Sequence, residues 1–293
     1  MENSVCPLCR SQNHKFCFSE KGYQVLICRL CGSLFIHPYS HNEDETHVKV
    51  TEYDYDKLKI LATNRHYSAS KTFYGDDGYF LRIAQQCESA KSFLDIGCGT
   101  GHLLELLSKN NPQIHRVGIE LNIQRAEFAK RVANCEIFQT PVEQFSYPTK
   151  FDVITMMNVL SHIPSFDSLF SSIKSLLSDK GKLILKVGEF SESVTKDAIF
   201  DWGIPDHLHF LGLNTIQFIC RKYGFKTLVH DRFPYSAEIF TLGRWKAPGR
   251  STSRNLIKRF VVMVPFALST LAKLYDIRHG GKVYSSFIVL TQL

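Results

Sequence analysis

A glycine-rich segment carries the clearest chemical pattern in the chain. Asp95 precedes a G-x-G-x-G loop formed by Gly97, Gly99 and Gly101, and Glu120 lies nineteen residues beyond the last glycine. Glycines between a strand and a helix let the backbone approach a ligand closely. A carboxylate before the loop repels a pyrophosphate but can pair with an ammonium or sulfonium group, and Glu120 can accept both ribose hydroxyls. The pattern predicts a nucleoside ligand with a cationic tail.

Four cysteines near the amino terminus form a second pattern. Cys6 and Cys9 are separated by two residues, as are Cys28 and Cys31, and eighteen residues separate the pairs. This spacing supplies four thiolates for one tetrahedral zinc ion. A zinc ribbon can bind nucleic acid or protein, or it can be a structural clip or lid. Because four-thiolate sites are closed, we favour the clip or lid.

Two histidines follow a predicted strand that should end at the ligand crevice. His207 and His209 lie on the same side of an extended segment because side chains alternate along it. Histidine accepts protons near neutral pH, so the pair is predicted to act as general base or substrate holder, with His209 preferred. Loop-ordering hydrogen bonds and a metal site that includes Asp206 are the alternatives. His162, in another turn, is expected to be structural.

Alternating strand and helix patterns supply the elements that position these residues. Seven short apolar strands are predicted at residues 93–96, 116–120, 136–138, 151–157, 182–187, 225–230 and 282–290. Helical periodicity separates most of them, as at Phe166, Leu169, Phe170 and Ile173. This alternation is typical of βαβ units. We therefore predict an α/β, Rossmann-like, doubly wound sheet of seven strands.

Composition narrows the class of protein and its compartment. Of 293 residues, 44% are hydrophobic and 22% are charged, which is ordinary for a globular protein. The chain has no apolar run of transmembrane length and no basic segment leading into an apolar one, so neither a membrane span nor a signal peptide is predicted. Nine cysteines then favour a reducing compartment. We expect a cytoplasmic protein, with peripheral membrane contact left open.

Positive charge is concentrated at the carboxyl end. The net charge is +7, and the chain from residue 244 onward carries nine basic residues against a single acid, Asp276. Here a basic, apolar helical stretch is predicted from Arg254, Leu256, Lys258, Arg259, Phe260 and Val264. For residues 251–275 three uses stay open: an active-site lid, a homodimer contact, or peripheral membrane contact. One local basic element, rather than a broad stripe, makes nucleic acid an unfavoured partner.

The glycine loop also carries a family resemblance. Residues 93–101, with the sequence FLDIGCGTG, resemble the first motif of class I S-adenosylmethionine-dependent methyltransferases, and the match extends over most of residues 91–293. The resemblance implies that Asp95 and the three loop glycines hold the methionine part of the cofactor, and that Glu120 holds its ribose.

Further cofactor contacts follow from the same resemblance. It implies that Leu121 and the segment containing Thr140 and Val142 flank the adenine. After the fourth predicted strand, this chain has Asn158 and Ser161 where the family often has glutamate. Asn158 is therefore expected to contact the cofactor, while no catalytic carboxylate is assigned there.

The layout of the chain, with a zinc ribbon before such a domain, resembles that of a methyltransferase subgroup. Members of this subgroup act on sugars, polysaccharide precursors, lipids or other small metabolites. We predict a zinc ribbon at 1–40, a linker and helical cap at 41–90, and a methyltransferase domain at 91–293 with an insertion at 232–282. The expected reaction is methyl transfer from S-adenosyl-L-methionine to oxygen, nitrogen or carbon of a small-molecule acceptor. An RNA methyltransferase whose ribbon holds RNA, and a non-catalytic binding module, are the alternatives.

Overall fold

The structure is a computed structural model that describes residues 4–39, 76–199, 202–240, 252–264, 266–279 and 282–293. Residues 41–75 of the predicted linker and helical cap, and residues 241–251 of the predicted insertion, lie outside the described residues.

Eleven strands form two sheets within the described residues. In chain order they are β1 (His14–Glu20), β2 (Tyr23–Cys28), β3 (Leu34–His37), β4 (Ser92–Ile96), β5 (His115–Ile119), β6 (Glu136–Phe138), β7 (Phe151–Met157), β8 (Leu177–Phe190), β9 (His209–Phe210), β10 (Phe225–Pro234) and β11 (Val283–Gln292).

Eight α-helices accompany these strands in the same described ranges. They are α1 (Asp76–Gln86), α2 (His102–Asn110), α3 (Ile123–Ala133), α4 (Phe166–Leu176), α5 (Leu213–Tyr223), α6 (Tyr235–Ile239), α7 (Thr252–Met263) and α8 (Ala267–His279). Short 3₁₀ turns form at Val142–Gln144, Leu160–His162 and Lys196–Ala198. No helix that the structure describes is long and apolar enough to span a bilayer.

The larger sheet has the strand order β10-β11-β8-β7-β4-β5-β6. Its strands are parallel except β11, which is antiparallel to both neighbours. The chain passes from β4 outward through β5 and β6, then returns to β7 on the other side of β4. The order therefore reverses between β4 and β7, and a ligand crevice is expected outside the carboxyl ends of strands at such a point. The predicted seven-stranded sheet is confirmed.

Helices cover both faces of this sheet. Successive strand residues point to opposite faces, and in the central strands both sets are apolar. In β8, Leu183 and Leu185 belong to one buried cluster, whereas Ile184, between them, belongs to another. The first cluster includes residues of α4 and α5, and the second includes residues of α1, α2 and α3. The near-continuous apolar strands thus explain the doubly wound arrangement.

The smaller sheet joins the amino-terminal segment to a distant part of the chain. Its antiparallel order is β1-β2-β3-β9, with Leu34 opposite Phe210 and Phe35 opposite His209. The backbone N–H of Ile36 also donates to the carbonyl of Leu208, at 3.0 Å. The segment with His209 and Phe210, which the sequence suggested was a loop, therefore supplies the fourth strand of this sheet. The residues of β3 are buried, so the backbone groups at its edge need hydrogen-bond partners, and β9 provides them.

Further contacts fix the small sheet against the large one. The Lys21 ammonium donates to the carbonyl of Ile204 at 3.0 Å, and the Tyr39 hydroxyl donates to that of Pro164 at 2.9 Å. The rings of Phe18 and Trp202 pack with centroids 4.7 Å apart. The amino-terminal segment thus shares a core with the segment that follows β8.

Candidate functional site

The glycine loop connects β4 to α2 at the carboxyl edge of the large sheet. Gly97 and Gly101 have φ angles of 71° and 74°, in the left-handed region that favours glycine. A Cβ at Gly97 would lie 2.4 Å from a methyl carbon of Val159, and one at Gly101 would lie 2.9 Å from the Cβ of Ala129. These two glycines therefore allow the loop to pack against the β7 end and against α3.

Gly99 and Glu120 form the part of the loop that is shaped for a ligand. Gly99 has φ 56°, and a Cβ built there meets nothing within 4 Å, so the space beside it is open. The buried Glu120 carboxylate accepts N–H bonds from Gly99 at 2.8 Å and from Asn122 at 2.9 Å. Each carboxylate oxygen has two lone pairs, so both keep the capacity to accept a ligand hydroxyl. A nucleoside with vicinal hydroxyls fits this arrangement.

Asp95 lies under the loop as a buried acid. Only 3% of the residue is exposed, and its carboxyl accepts a hydrogen bond from the Thr155 hydroxyl at 2.7 Å. Burial, together with the nearby Glu120 charge, raises the pKa of Asp95 to about 7, against the lowering effect of the Thr155 bond. A cation that comes close to Asp95 would favour its ionised form. The site therefore suits a ligand that carries an ammonium or sulfonium group.

The remaining predicted cofactor residues lie along the same edge. Leu121, directly after Glu120, is 43% exposed. Thr140 is half-buried, and Val142 is buried at the start of a 3₁₀ turn after β6. Asn158 is exposed at the end of β7, with φ 60°, and its N–H donates to the Lys186 carbonyl at 2.9 Å. All four follow the carboxyl ends of β5, β6 and β7.

A histidine cluster lies next to the turn that follows β7. The rings of His162 and His207 are edge to face, with centroids 4.7 Å apart. His162 Nδ1 donates to the carbonyl of Asp206 at 2.9 Å, and His207 Nδ1 donates to that of Trp202 at 2.8 Å. A carbonyl only accepts, so each neutral ring keeps its lone pair on Nε2. Burial lowers the pKa of His162, which keeps this ring neutral at physiological pH.

His207 is half-buried and its position depends on a glycine. Gly203 has φ 66°, and a Cβ there would lie 2.8 Å from Nδ1 of His207. The ring of Phe210 also packs against His207, with centroids 5.8 Å apart. The ring is thus held in place while part of its surface stays accessible.

His209 has a different environment from the one the alternation suggested. It lies in β9, is fully buried, and donates from Nε2 to the carbonyl of Leu160 at 2.6 Å. Its Nδ1 has no hydrogen-bond partner in the part of the chain that the structure describes. Burial lowers the pKa of His209 to about 3. A fully buried ring cannot contact an acceptor, whereas the half-buried His207 can. His207 is therefore the better candidate of the two, which reverses the preference for His209 drawn from the sequence.

Two buried polar groups near the carboxyl edge were not singled out from the sequence. Thr155, in β7, bonds Asp95 directly. Glu189, at the end of β8, accepts hydrogen bonds from His230 at 2.9 Å and Ser286 at 2.7 Å and pairs with Arg232 at 2.7 Å. Burial would raise the pKa of Glu189, but these partners lower it overall. A charged residue within an apolar strand was the signal available for Glu189.

The four predicted zinc ligands converge in the amino-terminal segment. The Sγ atoms of Cys6 and Cys31 are 3.6 Å apart, those of Cys9 and Cys28 are 3.4 Å apart, and all four lie within 4.8 Å of one another. A tetrahedral zinc ion with Zn–S bonds of about 2.3 Å needs S–S separations of roughly 3.8 Å. The cluster is therefore close to the size that one zinc ion requires.

Comparisons with known proteins match the central part of the chain. A family model described as a methyltransferase domain matches residues 69–230, more than half of the chain. The ubiquinone biosynthesis O-methyltransferase of Actinobacillus pleuropneumoniae is 34% identical over 104 residues, which cover 32% of this chain and 44% of that protein. The mitochondrial enzyme of the same name from Schizosaccharomyces pombe is 30% identical over 109 residues, or 34% and 39% of the two chains. The chain thus spans less than half the length of these relatives.

Solved structures share the fold. Geranyl diphosphate C-methyltransferase from Streptomyces coelicolor has a TM-score of 0.55 at 10% identity, over 74% of this chain and 79% of that one. Coclaurine N-methyltransferase, bound to N-methylheliamine and S-adenosylhomocysteine, has a TM-score of 0.53 at 14% identity, over 85% of each chain. The matched family region contains the glycine loop, Glu120 and the histidine cluster. The chain therefore belongs to the S-adenosylmethionine-dependent methyltransferase family.

Proposed function

We propose that this methyltransferase transfers a methyl group to a hydroxyl of a small-molecule acceptor, with His207 as the general base. The acceptor class is a sugar, a glycan or lipid precursor, or a related metabolite. The observation that carries the proposal is the histidine cluster, held beside the β7 turn whose Val159 packs against the glycine loop. The names of the curated relatives, O-methyltransferases of ubiquinone biosynthesis, support an oxygen acceptor. Membership of an enzyme family leaves no support for the non-catalytic alternative.

The glycine loop and the two acids would bind the cofactor. Its sulfonium supplies a methyl group on a good leaving group. Asp95 would pair with the cationic methionine part, the open space beside Gly99 would take the backbone of that part, and Glu120 would accept the ribose hydroxyls. Leu121 and Val142 would flank the adenine. These residues align the donor, and alignment is a large part of catalysis when the leaving group is already good.

His207 would remove the proton of the acceptor hydroxyl. Its Nδ1–H bond to the Trp202 carbonyl fixes the tautomer with the lone pair on Nε2. His162, whose ring packs against His207, stays neutral because burial lowers its pKa, so it does not oppose the positive charge that develops on His207. His209 would act as a positioning residue that ties this segment to Leu160.

The zinc ribbon would hold the segment from His207 to Phe210, here named the histidine segment, rather than bind nucleic acid. Cys28 ends β2 and Cys31 lies in the turn before β3, the strand that pairs with β9. One zinc ion on the four thiolates would fix this turn, and β3 would in turn fix the segment from His207 to Phe210. Structural zinc sites serve this kind of local ordering.

A methyl-transfer screen tests the proposed function. Purified protein with methyl-labelled cofactor is incubated with phenols, sugars, glycan precursors, lipids and RNA, and the labelled products are identified. We expect an O-methylated small molecule. Label transferred to RNA, together with RNA binding that falls steeply with salt, would favour the RNA methyltransferase instead.

Glu120→Ala is expected to weaken cofactor binding by roughly 10–150-fold, because a hydrogen bond to a charged group contributes about 1.5–3 kcal/mol. Asp95→Ala should give a loss of similar size. Calorimetry with S-adenosylhomocysteine measures both, and Glu88→Ala, which changes an exposed acid in the turn between α1 and β4, serves as the control. Wild-type protein that binds a nicotinamide dinucleotide in preference would refute the assignment.

Cofactor affinity is also expected to depend on pH through Asp95. Its pKa in the free protein is about 7, and pairing with a cation lowers it, so the cofactor selects the ionised form. Affinity should therefore be highest above pH 7 and fall below it, by up to about tenfold per pH unit. Calorimetry from pH 6 to 8 measures the slope. The Asp95→Asn variant should bind weakly with a flat profile, and a wild-type slope that persists in this variant would assign the proton elsewhere.

A further inference from the structure

Helices α7 and α8 present an apolar surface that the described residues leave exposed. Along α7, Leu256, Phe260 and Met263 follow helical spacing on one side, and Val264 comes directly after the helix. Phe260 is 71% and Met263 82% exposed. Phe266, between the helices, is 84% exposed. The full set, here named the α7–α8 face, is Leu256, Ile257, Phe260, Met263, Val264, Phe266, Leu274 and Ile277. So many large exposed apolar side chains on adjacent helices indicate an interaction surface.

The charge around this face is predominantly positive. Helix α7 contains Arg254, Lys258 and Arg259 and no acidic residue. The Arg259 and Lys273 side chains are exposed. The only acid of α8, Asp276, accepts a hydrogen bond from the Ser236 hydroxyl at 2.8 Å. An apolar surface with basic neighbours is complementary to a partner that has an apolar interior covered by a layer of anionic groups.

We propose that the α7–α8 face docks on an anionic lipid bilayer. Phe260, Met263 and Phe266 enter the boundary between headgroups and acyl chains, and the basic residues pair with anionic headgroups. A second copy of this chain fits less well because docking two such faces brings like charges together. RNA provides the anions, and its bases can stack on the two Phe rings, but it offers no apolar layer for the aliphatic side chains that make up most of the face.

Helix α8 connects this face to the histidine segment. The Tyr275 hydroxyl donates to the carbonyl of Ala198, and Arg278 pairs with Asp197 at 2.8 Å. The carbonyl of Lys196, in the same 3₁₀ turn, accepts from the Trp202 indole at 2.8 Å, and Trp202 itself accepts from His207. A docked protein would therefore keep the histidine segment close to the lipid surface. Docking of this face requires no methyl transfer.

Vesicle co-sedimentation tests the docking, without cofactor or acceptor, so that its outcome is independent of the proposed function. Full-length protein is mixed with vesicles of equimolar phosphatidylcholine and phosphatidylglycerol, or of phosphatidylcholine alone. We expect binding to the anionic vesicles that weakens with salt. Replacing Arg254, Lys258 and Arg259 by Gln should lower the partition constant by roughly 100-fold, at about fivefold per basic residue near the surface.

Apolar insertion has its own variants and controls. Phe260→Ser should weaken vesicle binding by at least about tenfold. Leu228→Ser, an exposed apolar residue of β10, and the triple change of Lys174, Lys180 and Lys226 to Gln are the matched controls and should bind as the wild type does. Circular dichroism confirms that each variant is folded. Wild-type protein that ignores anionic vesicles, or a Phe260→Ser variant that only abolishes a dimer seen by light scattering, would overturn the proposal.

Discussion

His207→Ala is expected to lower turnover by roughly 10²–10⁴-fold, the usual range for loss of a general base. The acceptor hydroxyl is a poor nucleophile until its proton leaves, and His207 is the half-buried ring whose tautomer the Trp202 carbonyl fixes. Turnover of the wild type should fall as the pH is lowered and the imidazole becomes protonated. In the variant this acid limb should disappear. Single-turnover assays from pH 5.5 to 8 with the acceptor found by screening measure both effects.

His209→Ala provides the matched comparison. It removes the bond to the Leu160 carbonyl and leaves a cavity in a fully buried site, so it should lower thermal stability. Its turnover should fall while the acid limb of the pH profile remains. If His209→Ala removes the limb and His207→Ala does not, the original preference for His209 is correct. Near-normal turnover of both variants would leave catalysis to alignment alone.

Zinc removal is expected to release the histidine segment without weakening cofactor binding. Structural zinc in small domains contributes about 10–16 kcal/mol of apparent binding free energy, which is much of what orders so small a sheet. Cys28→Ser or a strong chelator should raise amide hydrogen exchange in β3 and β9 together, because these strands pair. Turnover should fall at least tenfold. The affinity for S-adenosylhomocysteine should not change, because Glu120 lies at the edge of the seven-stranded sheet, away from β3 and β9.

Elemental analysis should first find one zinc per chain in the wild type. Cys17→Ser is the control, since Cys17 is a half-buried cysteine outside the cluster. It should keep its zinc and its exchange pattern. A fully folded wild type that contains no metal would contradict the zinc site. Rapid amide hydrogen exchange in β3 while β9 stays protected would show that the ribbon does not order the histidine segment.

Local pattern was enough to predict most of the fold. Every strand predicted for the large sheet lies within or overlaps an observed strand, because its type and approximate place follow from neighbouring residues. The strands β8 (Leu177–Phe190) and β10 (Phe225–Pro234) extend beyond the predicted runs at 182–187 and 225–230. The strand suggested by Tyr23, Val25 and Ile27 is likewise β2. The close approach of the four predicted ligand cysteines was predictable for the same reason, because paired spacing is a local signal.

Long-range pairing explains what the sequence did not predict. The strand β9 is only two residues long, and nothing local distinguishes His209–Phe210 from a loop; its pairing depends on β3, far earlier in the chain. Alternation predicted that His207 and His209 share one side, but His209 pairs with Phe35 and is fully buried, whereas His207 is half-buried. The bond from Thr155 to Asp95 also crosses between strands that lie about sixty residues apart in sequence.

The pairing of β3 with β9 has a consequence for synthesis of the chain. Leu34, Phe35 and Ile36 are made early, but the strand that covers their edge follows only after β4 to β8. Until then a nascent ribbon exposes an unpaired apolar edge, which is a template for association with other chains. Closing so long a loop is also entropically costly and slow. The pairing of β3 is therefore completed late, and an excised fragment of residues 1–40 should be prone to aggregate even when zinc is supplied.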